Sequence, residues 1–291
     1  MGKFKRETYT IDGVETVVHS AGNGEPVVFF HGAGTVDGFD FAEPWTERFK
    51  VIVPYHPGFG ESGDDASFTD LHDYVMHYLE LFDQLGLDRL HLVGLSLGGY
   101  LAAKFASEHG HRVKKLALIA PAGLIDPQHP MLDILAVPGE EVPGLLVSNF
   151  DVLKKRLPEK PDLDFIGERY REATTVARLL WEHPADPKFM RYLHRIKMPT
   201  LILWGDEDRI IPVQQTETWR KFLPQAQREA GVKAFQIHQS LTEPQKFFFY
   251  EVFRDEAAFA EHQQTEHFKT LIAGQALPKL AKRERTQHRF V

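Results

Sequence analysis

The chain has 291 residues, 43% of them hydrophobic and 26% charged, enough for one large buried core with a smaller appendage. A formal charge of −7, with 34 Lys and Arg spread among 41 Asp and Glu, gives no broad basic surface, so nucleic acid is not an expected partner. With no Cys there are no disulfides, thiolate metal sites or thiol nucleophile; no run approaches the roughly 18 apolar residues of a membrane-spanning helix, and the start MGKFKRETYT does not resemble a signal peptide, so a cytoplasmic protein without a membrane partner is expected.

β-branched and aromatic residues from Tyr9 to Gly22 predict a hairpin. The apolar run from Pro26 to Phe30 predicts a buried strand that breaks at His31-Gly32-Ala33-Gly34. Val51 to Val53 is a second such strand, ending at Tyr55-His56-Pro57-Gly58-Phe59-Gly60, and the helix after it carries Leu71, Tyr74, Tyr78, Leu81 and Leu85 at helical spacing. Leu90 to Val93 runs through Gly94-Leu95-Ser96-Leu97-Gly98-Gly99 into a helix from Tyr100 to Ala106, and Leu116 to Ile119 and Leu201 to Leu203 are further short buried strands. Strands alternating with helices predict an α/β fold with a mostly parallel sheet. Between Pro121 and Pro199 the alternation gives way to Pro-bearing loops and amphipathic helix, such as Ile166 to Trp181, which predicts a helical cap inserted at about 122–198. Beyond the 1–212 core, residues 213–291 read as a separate α+β module. It comprises a helix from about Gln214 to Phe222, strand-like Val232 to His238, a turn at Thr242-Glu243-Pro244-Gln245, strand-like Lys246 to Phe253 and a helix opened by Asp255. The final Lys279, Lys282, Arg283, Arg285 and Arg289 form a basic tail that reads as solvated surface.

Gly94-x-Ser96-x-Gly98 between a strand and a helix is the setting of a nucleophile elbow, where the turn is so tight that its neighbours must lack side chains. Ser96 is the expected nucleophile, and the backbone N–H of Leu97, at the helix N-terminus, faces a developing oxyanion. The loop at His31 follows an earlier parallel strand and lies at the same edge of the sheet, which makes the Ala33 N–H the second expected oxyanion donor. Trp204-Gly205-Asp206-Glu207-Asp208 is an acidic loop at that edge, where a serine hydrolase needs a carboxylate to orient its imidazole. Asp208 is the expected carboxylate, with Asp206 as the alternative in a turn-stabilising role.

Together these stretches, from about Tyr9 to Pro212, resemble the α/β-hydrolase superfamily: the His-Gly loop at His31, the turn Pro57-Gly58-Phe59-Gly60-Glu61-Ser62, the elbow at Ser96 and the loop Trp204-Gly205-x-x-Asp208 stand in that family's order. A serine at the elbow, where epoxide and haloalkane hydrolases of the superfamily carry Asp, implies ester hydrolysis through an acyl-enzyme; related carbon–carbon bond hydrolases and cofactor-free peroxidases share the pattern. The resemblance also implies a Gly-His turn presenting the base, and no Gly-His pair follows Asp208. His238, at the end of a strand-like stretch 30 positions on (238 minus 208), is the expected substitute.

From about Arg228 to Val291 the chain resembles the antibiotic biosynthesis monooxygenase family, in the stretch Phe248-Phe249-Tyr250-Glu251-Val252-Phe253-Arg254-Asp255-Glu256-Ala257-Ala258-Phe259-Ala260-Glu261-His262 and in Thr265-Glu266-His267-Phe268. This resemblance implies a ferredoxin-like module, here truncated, that dimerises, within a family that includes cofactor-free oxygenases. His262 and His267, five positions apart, splay about 140° on a helix and are not read as a metal pair. Either could supply the base instead of His238. The expected protein is thus a cofactor-free, metal-free, homodimeric serine esterase acting on a small-molecule ester. Its rivals are an oxygenase centred on the C-terminal module and a binding protein on a hydrolase fold.

Overall fold

The structure is a computed structural model that describes residues 4–35, 38–147, 149–182, 184–223, 232–239, 247–253, 255–265 and 269; of residues 152, 232–239 and 247–253 it describes the backbone only. The chain divides into two compact units, Met1–Ala226 and Gln227–Val291.

The first unit is built on a seven-stranded sheet of order β1-β2-β4-β3-β5-β6-β7. The hairpin of β1 (Lys5–Ile11) and β2 (Val14–Ala21) is antiparallel, as is the pairing of β2 with β4 (Phe49–Pro54). β3 (Glu25–Phe30), β4, β5 (Leu90–Leu95), β6 (Val113–Ile119) and β7 (Thr200–Leu203) are mutually parallel. The chain leaves β3 toward β4 on one side and returns to β5 on the other, so the loops after β3 and β5 diverge at a topological switch point, where parallel sheets bind ligands. This is the expected α/β architecture.

Two helices cover the site-bearing strands. α1 (Leu71–Gln84) opens with a capping box in which Asp70 accepts the N–H groups of His72 and Asp73, and it buries Leu71, Tyr74, Tyr78 and Leu81 at the spacing read from the sequence. α2 (Leu97–Glu108) is buried almost all round, as its run of Leu, Ala and Phe requires. The insertion after β6 holds short helices α3 (Val142–Leu146) and α4 (Phe150–Lys154), the long α5 (Leu163–Leu180) and α6 (Phe189–Tyr192). α5 begins where Asp162 caps it through the N–H of Phe165 and turns Glu172, Thr175, Val176 and Leu179 inward.

After β7, α7 (Gln215–Phe222) belongs to the first unit: Trp219 and Leu223 lie in its core, and Thr218 Oγ1 donates to Asp126 Oδ2 at 2.7 Å. That packing carries the first unit past Pro212 to Ala226. In the second unit β8 (Val232–Gln239) pairs antiparallel with β9 (Phe247–Phe253), followed by α8 (Glu256–Gln264), whose N-cap Asp255 accepts from Ala258 N–H at 2.8 Å. The turn expected at Thr242 and the basic tail lie outside the described residues.

Candidate active site

The close of β5 into α2 leaves Ser96 at φ 53° and ψ −116°, a region non-glycine residues occupy only when their surroundings force it. Both flanking glycines are required. A Cβ at Gly94 would overlap the Gly98 carbonyl, and one at Gly98 would overlap the carbonyl oxygens of Phe30 and His31. α2 is therefore seated directly on the end of β3, which brings the His31 loop to the serine: a Cβ added at Gly32 would stand 3.5 Å from Ser96 Cβ and 4.0 Å from its Oγ. Gly98→Ala is accordingly expected to cost about 4 kcal/mol or more, since backbone rather than a yielding side chain blocks the methyl; a thermal melt followed by circular dichroism checks this.

Ser96 is half-buried and its side chain does not cap α2. The first-turn N–H groups of a helix have no intrahelical acceptor, so the Leu97 N–H sits at the positive end of α2 beside the Ser96 hydroxyl. Ala33 is partly buried against the core, one residue beyond Gly32. Ser96, Ala33 and Leu97 are thus neighbours on the carboxyl edge of the sheet.

Beneath them lie two histidines that sequence reading took only as loop residues. His31 Nδ1 pairs with the Gly32 carbonyl at 2.8 Å, and its Nε2 accepts the His56 N–H at 2.9 Å. His56 Nε2 donates to the His31 carbonyl at 3.0 Å and its Nδ1 meets the Tyr78 hydroxyl at 2.5 Å. His31 needs one N–H and one bare nitrogen, so it is neutral, whereas His56 Nε2 carries an N–H and its Nδ1 meets a hydroxyl able to donate or accept. Burial pushes His31 down to about 4, with the Arg169 charge adding to it, and burial drives His56 well below the ordinary imidazole value. The sequence signal was a histidine closing each of two adjacent parallel strands.

The elbow is tied to the acid loop through the strand between them. Ser96 N–H donates to Ile119 O at 2.9 Å, and Ala120 N–H donates to Leu203 O at 2.8 Å. Asp208 follows on that loop, half-buried, with Oδ1 accepting the N–H groups of Ile210 (2.9 Å) and Ile211 (2.8 Å) and Oδ2 without a partner among the described residues. The expected division of labour changes here. Asp206, read as a turn-stabilising acceptor, is exposed and accepts no hydrogen bond among the described residues, and Asp208 stabilises the turn with one oxygen while keeping the other available.

The candidate bases lie on the second unit. His238 occupies β8 opposite Phe248, with its side chain outside the described residues. His262 is on α8 and buried, 7% exposed; His267 lies outside the described residues. Among the described residues no cluster of three or more His, Cys, Asp or Glu could hold a metal, and no helix is long and apolar enough to cross a membrane.

A strained serine at a strand-to-helix elbow, over a switch point of a parallel sheet with an acidic loop two strands away, defines the α/β-hydrolase class. The family profile of the alpha/beta hydrolase fold matches residues 25–235, and the chain belongs to that family. The profile of the antibiotic biosynthesis monooxygenase family matches residues 214–274, so the two overlap across α7 and the start of β8. Lipase 1 of Psychrobacter immobilis is 30% identical over 70% of this chain and 68% of its own. The 2-hydroxy-6-oxo-2,4-heptadienoate hydrolase of Pseudomonas putida is 29% identical over 69% of this chain and 79% of its own. The solved structure of a 2-hydroxy-6-oxo-6-phenylhexa-2,4-dienoate hydrolase from Rhodococcus sp. strain RHA1 shares the fold with a TM-score of 0.60, at 24% identity over 76% of this chain and 88% of that one.

Proposed function

We propose that the chain is a serine hydrolase that cleaves small to medium apolar carboxylic esters through an acyl-enzyme, without a cofactor. The observation that carries this reading is the forced backbone of Ser96 beside Gly32 and the N-terminus of α2. The lipase relative favours the ester bond. Ser96 Oγ attacks the carbonyl carbon as its proton passes to an imidazole, and the oxyanion is bound by the Ala33 and Leu97 N–H groups. Collapse of the intermediate expels the alcohol, which takes the proton, and water repeats the cycle to release the acid. Asp208 Oδ2 holds the imidazole in the tautomer this needs. The base comes from the second unit: His238 first, with His262 and His267 as alternatives, and that unit also joins two copies of the chain as a homodimer.

The test is labelling by a fluorophosphonate with mapping of the adduct, together with p-nitrophenyl acetate turnover. An adduct on Ser96 and turnover lost in Ser96→Ala and His238→Ala are expected. Absence of an adduct sinks the reading; turnover that survives His238→Ala but not His262→Ala or His267→Ala moves the base. Oxygen uptake with a quinol that survives Ser96→Ala assigns the activity to the second unit.

A further inference from the structure

The loop that carries Ala33 is anchored at two ends. At its start His31 is locked into the core by Gly32 and His56. At its end, all three polar atoms of Thr35 are held by two side chains of α5. The Thr35 N–H donates to Glu172 Oε2 at 3.3 Å and its hydroxyl donates to Glu172 Oε1 at 2.5 Å. Arg169 donates through Nη1 to the Thr35 carbonyl and through Nη2 to its hydroxyl oxygen at 2.9 Å. Glu168 Oε1 lies 3.2 Å from the same hydroxyl. Glu172 Oε1 also accepts the Gly60 N–H at 3.1 Å, and Arg171 donates to the Gly60 carbonyl, so the Pro57-Gly58-Phe59-Gly60 turn is bound into the same knot.

Glu172 is 2% exposed, and Arg169 Nη1 stands 2.8 Å from its Oε2. A buried carboxylate is retained at this depth only where charge and hydrogen bonds compensate its lost hydration. Here every compensating group outside α5 belongs to one of two loops at the carboxyl edge of the sheet, the one that carries the oxyanion donor and the one that follows β4.

We propose that Glu172, with Arg169, is a positioning residue of the ester hydrolysis: from the cap it fixes Thr35, and through Thr35 it fixes the Ala33 N–H two residues upstream against Ser96. The cap and the oxyanion hole then move as one piece, so a substrate that seats α5 also completes the hole. The inference rests on the Ser96 reading above.

Thr35→Val removes the hydroxyl at equal volume, Thr35→Ser keeps it, and Glu172→Gln removes the charge facing Arg169 and turns an amide donor toward either the Thr35 N–H or the Gly60 N–H. With p-nitrophenyl butyrate, Thr35→Val and Glu172→Gln are expected to lower kcat roughly 10- to 100-fold, short of the loss of an oxyanion donor itself, with KM moving less than about 3-fold. Fluorophosphonate labelling slows in step, and Thr35→Ser returns kcat to within about 3-fold of wild type. If Glu172→Gln does not fold, Thr35→Val and Thr35→Ser decide alone. A lower melting temperature with kcat per titrated serine unchanged overturns the inference, because the contacts then only staple the cap. A wild-type chain that neither labels at Ser96 nor turns the ester over removes the hydrolase reading first, and this inference with it.

Discussion

Ser96→Gly is expected to melt about 2–4 °C above wild type while losing at least about 10⁵-fold in p-nitrophenyl acetate turnover. The gain in stability comes from the backbone. At φ 53° and ψ −116° a side chain of the L configuration costs on the order of 1–3 kcal/mol, and glycine adopts that conformation freely. Against this stands the extra freedom glycine gives the unfolded chain, about 0.5–1 kcal/mol, which leaves a net gain of about 1 kcal/mol. The loss of activity comes from the hydroxyl, for which nothing else at the elbow can substitute. Ser96→Ala separates the two effects: it keeps the Cβ and hence the strain, so it should lose the same activity and gain no stability. An ordinary serine in a glycine-rich turn predicts the opposite order, with Ala at least as stable as Gly. Thermal melts of the three chains, run beside the esterase assay, decide between the two, and a glycine variant that melts below the alanine variant rejects the strained elbow.

What was legible in the sequence was what the backbone demands. The elbow could be read because two carbonyl clashes leave only glycine at positions 94 and 98, and the inner parallel strands because burial needs apolar runs; β7, expected as a buried strand, instead lies at the sheet edge with Leu201 and Leu203 exposed. Side-chain partnerships across the fold left no such trace. Glu172 reads as one more acid on an amphipathic helix, and nothing marks its link to Thr35, which spans 137 positions. The roles of Asp206 and Asp208 were assigned by type and order, yet which carboxylate turns inward depends on where the loop bends after Gly205. The end of the first unit was read at Pro212 from a change in residue pattern, whereas Trp219, wholly buried, carries the packing through α7. The proposed base is the least legible element, because no Gly-His pair follows Asp208 to announce it.

The first unit is expected to unfold in mild acid, well before its carboxylates titrate. Four of its histidines, His19, His31, His56 and His77, are buried and lowered by burial: His31 and His77 are each pushed down to about 4, and His56 is driven well below the ordinary value. Unfolded, each would bind a proton near pH 6.5. A group whose folded pKa is depressed binds more protons in the unfolded state, so stability is complete above about pH 6.5 and falls as the pH drops toward the folded values. Each such histidine contributes a slope of up to about 1.4 kcal/mol per pH unit, reached only below the unfolded value, and His31, His56 and His77 together remove about 5 kcal/mol between pH 6.5 and 5. That is comparable to the whole stability of a typical domain, about 5–15 kcal/mol. Glu172 acts in the opposite sense, since burial raises its pKa and its protonation in the folded state offsets part of the loss, but only once the pH nears the carboxylate range. The chemical reason for the collapse is local. A protonated His31 can no longer accept the His56 N–H, so the core anchor of the Ala33 loop is among the contacts acid removes. Urea titrations at pH 7.5, 6, 5 and 4.5 should show the midpoint falling steeply below about pH 6.5. In His77→Gln, whose amide can still bond the Thr16 hydroxyl that His77 Nε2 meets at 2.8 Å, the slope should ease by about 1.4 kcal/mol per pH unit. A midpoint that stays level down to pH 4.5 would show that these rings are charged or hydrated in the folded chain, and the neutral pair beneath the Ala33 loop would have to be abandoned.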